Sequence, residues 1–282
     1  MKQMMRRAGV AIFRWLPLGH EGRRRVRKAL LAVMGGPRRP FVMDWRGFRV
    51  QIDPGQAIDM RLHFTGDYEP ATLAAIKRLA YPGSTAIDVG ANVGLVSLWL
   101  TRCVGPAGRV IAVEPSAWAC ERLADNAALS GVTMIETIRA AVADRPGEAV
   151  LDVINGYNLD NTRSRRTETV TCVTVDQLVA ERGITNLSLL KVDTDGFEMD
   201  VFRGAQTVLS TIRPDIVFEY GPDHLRRYSR AEPEALIALL RGHGYAVLDE
   251  HMQPLDPADL RLKFGETANL VARPEERLAS VG

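Results

Sequence analysis

The sequence predicts an α/β fold, a doubly wound and mostly parallel sheet of seven strands behind an N-terminal helical extension. Three observations predict it. Short apolar runs alternate with helical patterns along most of the chain, the order that lays helices on both faces of a parallel sheet. One run, Ala86-Ile-Asp-Val-Gly-Ala-Asn-Val-Gly94, reads as a buried strand passing through a glycine-bearing turn into a helix. Another, Arg109-Val-Ile-Ala-Val-Glu114-Pro115, ends in a carboxylate 20 residues beyond Gly94. Ligands in such sheets bind beyond the carboxyl ends of the strands, so two acids at two adjacent strand ends make a site.

Charge divides the chain. Residues 1–40 hold eleven Lys or Arg against Glu21 alone, a charge of +10 that leaves −8 for the rest of a chain whose net is +2. We therefore read a basic helical arm at 1–40 and a body at 41–282, in a chain that at 46% hydrophobic and 25% charged has the composition of a globular protein. The arm carries two helical patterns, over 4–16 and from about Glu21 to Met34. A basic face of this kind can lie on an anionic membrane, bind nucleic acid, or pack as a solvated arm on the body or on a partner subunit. The short apolar stripe favours packing, and the lack of interleaved aromatics disfavours nucleic acid. Oligomeric state is not legible.

The body is then read in order. Phe41–Trp45 and Phe48–Ile52 alternate around Arg46-Gly47 and predict a hairpin. Gly66-Asp-Tyr68-Glu69-Pro70 opens a helix with proline in its first turn and Leu73, Ile76 and Leu79 on one face. After the strand and turn of 86–94, Leu95, Leu98, Trp99 and Cys103 mark a buried helix, and Ser116 to Leu129 the next. Met134 to Val142 reads as a third strand. A β-excursion follows through Ala149–Val153 and Val170–Val175, joined by a polar loop, 155–166, with Arg163, Arg165 and Arg166 clustered. Asp176 reads as an N-cap, Leu187 to Asp193 as the fourth strand, Asp215 to Tyr220 as the fifth, Glu232 to His243 as a helix, and 245–248 and 268–272 as closing strands. A single helix carrying Val201, Phe202, Ala205, Val208 and Leu209 joins the fourth strand to the fifth.

Cys103, Cys120 and Cys172 are odd in number and fit neither a disulfide framework nor a zinc pattern. With no apolar run long enough to span a bilayer and no signal-type core, the expected location is cytoplasmic, with peripheral membrane contact through 1–40 as the alternative.

The spacing of the glycine turn selects the ligand. A dinucleotide fingerprint needs glycine at 90, 92 and 95, where the chain has Gly90, Asn92 and Leu95, so a nicotinamide oxidoreductase is disfavoured. An acid before the turn suits a ligand carrying an ammonium and a sulfonium, as S-adenosylmethionine does. Asp88 is expected to meet that ligand, with Gly90, Ala91, Asn92 and Gly94 at the turn, and Glu114 and Pro115 at the ribose diol.

The body resembles the FkbM-type S-adenosylmethionine-dependent methyltransferases from about Gly66 to Arg273. The resemblance rests on Tyr68-Glu69-Pro70, Ile87–Gly94, Val113-Glu-Pro115 with Asn126, Ala141-Val142 with Asp144, Val175-Asp176, Lys191-Val-Asp-Thr-Asp-Gly-Phe-Glu198, Gly204-Ala205 and Pro214 to Glu219. It implies a Rossmann-like class I methyltransferase fold, adds Ala141 and Val142 to the cofactor residues, and implies O-methylation of a small-molecule, glycan or glycolipid hydroxyl. Asp195 stands where many members carry glutamate.

In this fold the fourth strand end faces the methyl group. Asp193-Thr-Asp195-Gly stands there, not the Asn or Asp-Pro-Pro-aromatic turn that holds a planar amine, so oxygen is the expected acceptor. Such a displacement needs a positioned nucleophile, helped by a base. Asp193 is the first candidate, followed by Asp195, Glu69 and Glu219. His63 and His224 are weaker candidates, and the three arginines can hold an acceptor anion. Asp193 and Asp195 can share a divalent metal, but no third ligand is legible, so none is assigned. The alternative of a different class is a membrane- or nucleic-acid-associated module that merely retains the cofactor pocket.

Overall fold

The computed structural model describes residues 39–157, 163–256, 262 and 265–280, with the side chains of 151–166 and 279–280 outside the description. Both predicted helices of the basic arm fall outside the described residues. Strands β1 (Phe41–Trp45) and β2 (Phe48–Ile52) form the expected hairpin. Arg46 and Gly47 both take positive φ, 50° and 84°, as a two-residue turn of this twist requires. Helix α1 (Ala57–Thr65) follows and was not legible in sequence, because its buried Met60, Leu62 and Phe64 alternate and present no helical stripe. Helix α2 (Pro70–Leu79) begins at the predicted proline.

The sheet begins with β3 (Thr85–Val89), crosses through α3 (Leu95–Val104) to β4 (Arg109–Val113), and through α4 (Ala117–Leu129) to β5 (Ile135–Ile138). The predicted third strand breaks after Ile138. Ala141-Val142 forms β6, which joins a separate three-stranded sheet with β7 (Gly147–Tyr157) and β8 (Arg163–Val173). The excursion is thus a long antiparallel hairpin, and Arg163, Arg165 and Arg166 lie in β8, not in a loop. Thr174, not Asp176, caps α5 (Val175–Glu181) by accepting from the Gln177 N–H at 3.0 Å. Asp176 instead accepts from the N–H groups of Thr207 and Val208, at 2.9 and 2.8 Å, bracing the start of another helix.

Strand β9 (Leu187–Val192) leads to α6 (Glu198–Arg203) and α7 (Gln206–Thr211), two short helices where one was expected, broken at Gly204-Ala205. A Cβ at 204 would lie 2.2 Å from the Ala143 carbonyl, so only glycine lets the chain pass β6 this closely. Then come β10 (Asp215–Tyr220), the unpredicted α8 (Pro222–Arg227), α9 (Pro233–Gly242), β11 (Tyr245–Asp249) and β12 (Ala268–Pro274).

The seven-stranded sheet runs β11-β12-β10-β9-β3-β4-β5, with β12 antiparallel to both neighbours and the remaining pairs parallel. Strand order reverses between β3 and β9, which opens a crevice at their carboxyl ends. Alternation along the strands sends Ile87, Val89 and Leu190 to a core layer with Phe202, and Ala86 and Leu189 to a layer with Leu73, Leu98 and the hairpin's Val50. The hairpin is bolted to α4 by polar groups. Arg122 donates to the Gln51 carbonyl and to Asp59 Oδ2, both at 2.9 Å, and the Gln51 N–H donates to Asn126 Oδ1 at 2.8 Å.

Candidate active site

A cavity of about 780 Å³ opens at the switch point, a size suited to a cofactor-scale ligand. Its walls are the turn 89–93, Glu114 to Ser116, residues 140–144, and the stretch from Lys191 through Asp195. Of the cofactor residues expected from sequence, Gly90, Ala91, Asn92, Glu114, Pro115, Ala141 and Val142 line it, and Asp88 and Gly94 do not. The two glycines answer to protein contacts. At Gly90, φ +76°, a Cβ would sit 1.8 Å from the Asp193 carbonyl oxygen, so glycine lets the turn press on the end of β9. At Gly94 it would sit 2.6 Å from Leu123 of α4.

Glu114 is the organising acid of the cofactor side. One oxygen accepts from the Asn92 N–H at 2.9 Å, holding the turn, and the other from the Ser116 N–H at 3.0 Å. Burial raises its pKa from the ordinary carboxylate value, against the pull of those two amides and of Lys191. Each oxygen has a lone pair left for a ribose hydroxyl. Asp88 does not line the cavity. It pairs in register with Lys191 of the adjacent strand, shares that residue's face of the sheet, and is fully enclosed. Its Oδ2 accepts from Ser97 Oγ of α3 at 2.6 Å, and its Oδ1 lies 3.5 Å from Lys191 Nζ.

Lys191 opens the Lys191–Glu198 motif but has no role legible in sequence, since a lone lysine in an apolar strand points to no particular chemistry. It is 4% exposed yet reaches the cavity wall, and its Nζ donates to Asp193 Oδ2 at 3.1 Å. Burial opposes its charge, but Asp193, Asp88 and Glu69 outweigh that and hold the ammonium above its ordinary pKa. Asp193 lines the cavity with its side chain one-quarter exposed. Glu69 stands behind this pair at φ +38°, the N-cap position of α2, and accepts from Asn269 Nδ2 at 3.3 Å. Burial raises its pKa, with Asp193 adding to the effect. Glu69 and Glu219 do not line the cavity, whereas Asp193 and Asp195 do.

The loop 193–197 is pinned by Glu198, whose Oε1 accepts from the N–H groups of Thr194 and Gly196 and from the Thr194 hydroxyl, at 2.9, 3.1 and 3.0 Å. Glu198 is thereby a staple that presents both aspartates. Glu219, near the end of β10, is pushed up to about 9 by burial and then by Asp193, Glu198 and Asp195. The outer wall carries Phe197 and Tyr228, rings 5.6 Å apart, with Asp200 and Arg227 alongside. His63 lies away from the cavity lining, its ring packed on Phe41 and Phe64.

A sheet in this order, with a cavity at its switch point and an acid closing the second strand, has the Rossmann-like architecture of class I methyltransferases. More narrowly, the chain belongs to the FkbM methyltransferase family, since the model of the Methyltransferase FkbM domain matches residues 88–247. The methyl donor of this domain is S-adenosylmethionine, and the cavity's size, backbone turn and Glu114 fit it. The chain is 31% identical over 209 residues to the AMB antimetabolite synthetase AmbE of Pseudomonas aeruginosa, a match over 59% of this chain and 10% of that protein. It is 29% identical over 132 residues to a ribosomal protein L11 methyltransferase of Pelotomaculum thermopropionicum, over 44% of this chain and 41% of that one. The chain thus spans less than half the length of these relatives. Among solved structures, M. jannaschii TYW2 in complex with AdoMet aligns at 12% identity and a TM-score of 0.43, over 84% of this chain and 85% of that one. None of the described helices is long and apolar enough to cross a membrane.

Proposed function

We propose that this methyltransferase acts on a hydroxyl oxygen of a small-molecule, glycan or glycolipid acceptor. The observation that carries the reading is the Lys191–Asp193 pair at the cavity wall, with its 3.1 Å contact. The donor, when bound, supplies an electrophilic methyl on a sulfonium. Lys191 occupies one oxygen of Asp193, leaving the other oxygen to accept a hydrogen bond from an acceptor hydroxyl. Asp193 would orient that oxygen and take its proton, and the bound donor would supply the methyl group, its C–S bond breaking as the C–O bond forms. Glu114 and the backbone of the 90–93 turn hold the donor's ribose and adenosine end. The Phe197 and Tyr228 rings with Asp200 offer the aromatic face and hydrogen-bond acceptors that suit a sugar or polyol.

Labelled methyl transfer into fractions of a cell extract tests this. The label is expected in small molecules or glycans, resistant to protease and nuclease, and stable to mild alkali as an ether is. Protease-sensitive label would point to a protein acceptor, as in the name of the ribosomal-protein relative, and would overturn the reading. Nuclease-sensitive label would overturn it in favour of nucleic acid.

A further inference from the structure

We propose that Asp195, Glu219 and His224 bind a divalent transition-metal cation at the rim of the cavity. Two carboxylate oxygens and one ring nitrogen, drawn from three separate elements, lie within 4.8 Å of one another. A cation with bonds of about 2.0–2.6 Å gathers ligands at separations of that order.

The fold brings the three together for a stated reason. Gly196 has φ +110°, and a Cβ there would lie 2.7 Å from the His224 carbonyl, so glycine is what lets the 193–197 loop lie against α8. That contact sets Asp195, itself at φ 54°, beside His224. Glu219 arrives from the end of β10. The imidazole sets this trio apart from a patch of acids. Its Nδ1 is enclosed by protein and has no hydrogen-bond partner, a condition that folded proteins avoid and that ligation or a bridging partner resolves.

Charge points the same way. Asp193, Glu198 and Asp195 all crowd Glu219, while the buried ammonium of Lys191 is engaged by Asp193 and Asp88. A dication at the trio offsets that repulsion. Two carboxylates with one imidazole suit Mn²⁺ or Zn²⁺ better than Ca²⁺, which takes six to eight oxygens. Because Asp195 also lines the cavity, such an ion borders the space where an acceptor sits. The proposal concerns cation binding alone and holds whichever atom receives the methyl group.

The test uses the full chain stripped with chelator and exchanged into metal-free buffer. Mn²⁺ is titrated and its aqueous paramagnetic resonance signal followed, and Zn²⁺ is titrated in competition with a chromogenic chelator. One ion of at least one of these metals is expected to be retained per chain. Asp195→Asn, chosen because asparagine tolerates positive φ, and His224→Gln should each weaken retention about tenfold or more, while Glu234→Gln on the exposed face of α9 should not. Circular dichroism of each variant establishes that it is folded. Retention of neither metal, or retention that both site variants leave unchanged, overturns the proposal, and neither result bears on the acceptor assignment tested above.

Discussion

Replacing Lys191 with methionine tests the electrostatic centre of the site. The side chain is 5% exposed, with Asp88 at 3.5 Å and 0% exposed, and Asp193 at 3.1 Å and 25% exposed. Water can take over the contact to Asp193, so most of the cost falls on Asp88, which keeps the Ser97 hydroxyl at 2.6 Å but loses its cation. Removing one partner of a buried ion pair typically costs about 3–5 kcal/mol. For a domain of this size that corresponds to a fall in Tm of roughly 6–20 °C. Urea and thermal unfolding at neutral pH, followed by circular dichroism, read this directly. Adding Asp88→Asn removes the stranded charge while the amide oxygen still accepts from Ser97, so the double variant should recover about 2 kcal/mol. A loss under about 1 kcal/mol for Lys191→Met, or a double variant no more stable than the single, would refute the idea that Lys191 neutralises Asp88.

Three further outcomes are expected. Asp193→Asn should leave S-adenosylmethionine affinity within about twofold by calorimetry and cut kcat roughly 10²–10⁴-fold. Glu114→Gln should weaken donor binding by about 1–3 kcal/mol. Glu114 must be ionised to accept two backbone donors and a ribose, and burial raises its pKa. Wild-type binding should therefore fall on acidification from above pH about 4.5, and this acid limb should vanish in the Gln variant. Gly90→Ala, forced to a φ of +76° and 1.8 Å from the Asp193 carbonyl, should destabilise the fold by about 2–4 kcal/mol in denaturant titration, beyond any effect on binding.

The elements most legible in sequence were those whose environment imposes a period. Buried parallel strands such as Ala86–Val89 and Leu187–Val192 read as apolar runs because both faces are covered. Helix α1 was hidden because its buried positions alternate, and α8 because its six residues are too few to show a stripe. The break after Ile138 was hidden because Ala140, Ala141 and Val142 are as apolar as the strand before them, and only pairing with β8 decides which sheet takes them.

By itself the sequence determined the strand, turn, helix and acid order, the failure of the dinucleotide pattern at Asn92 and Leu95, and the placing of Asp193 and Asp195 at a strand end. These are local properties, set by neighbours within a few residues. Only the tertiary structure decided direction and company. It turned Asp88 away from the cavity onto Lys191 and Ser97, made Gly90 a contact surface for Asp193, and set Asp195 and Glu219 beside His224. Those outcomes depend on register between strands distant in sequence and on which face each residue takes, and pairing across the sheet is what fixes both.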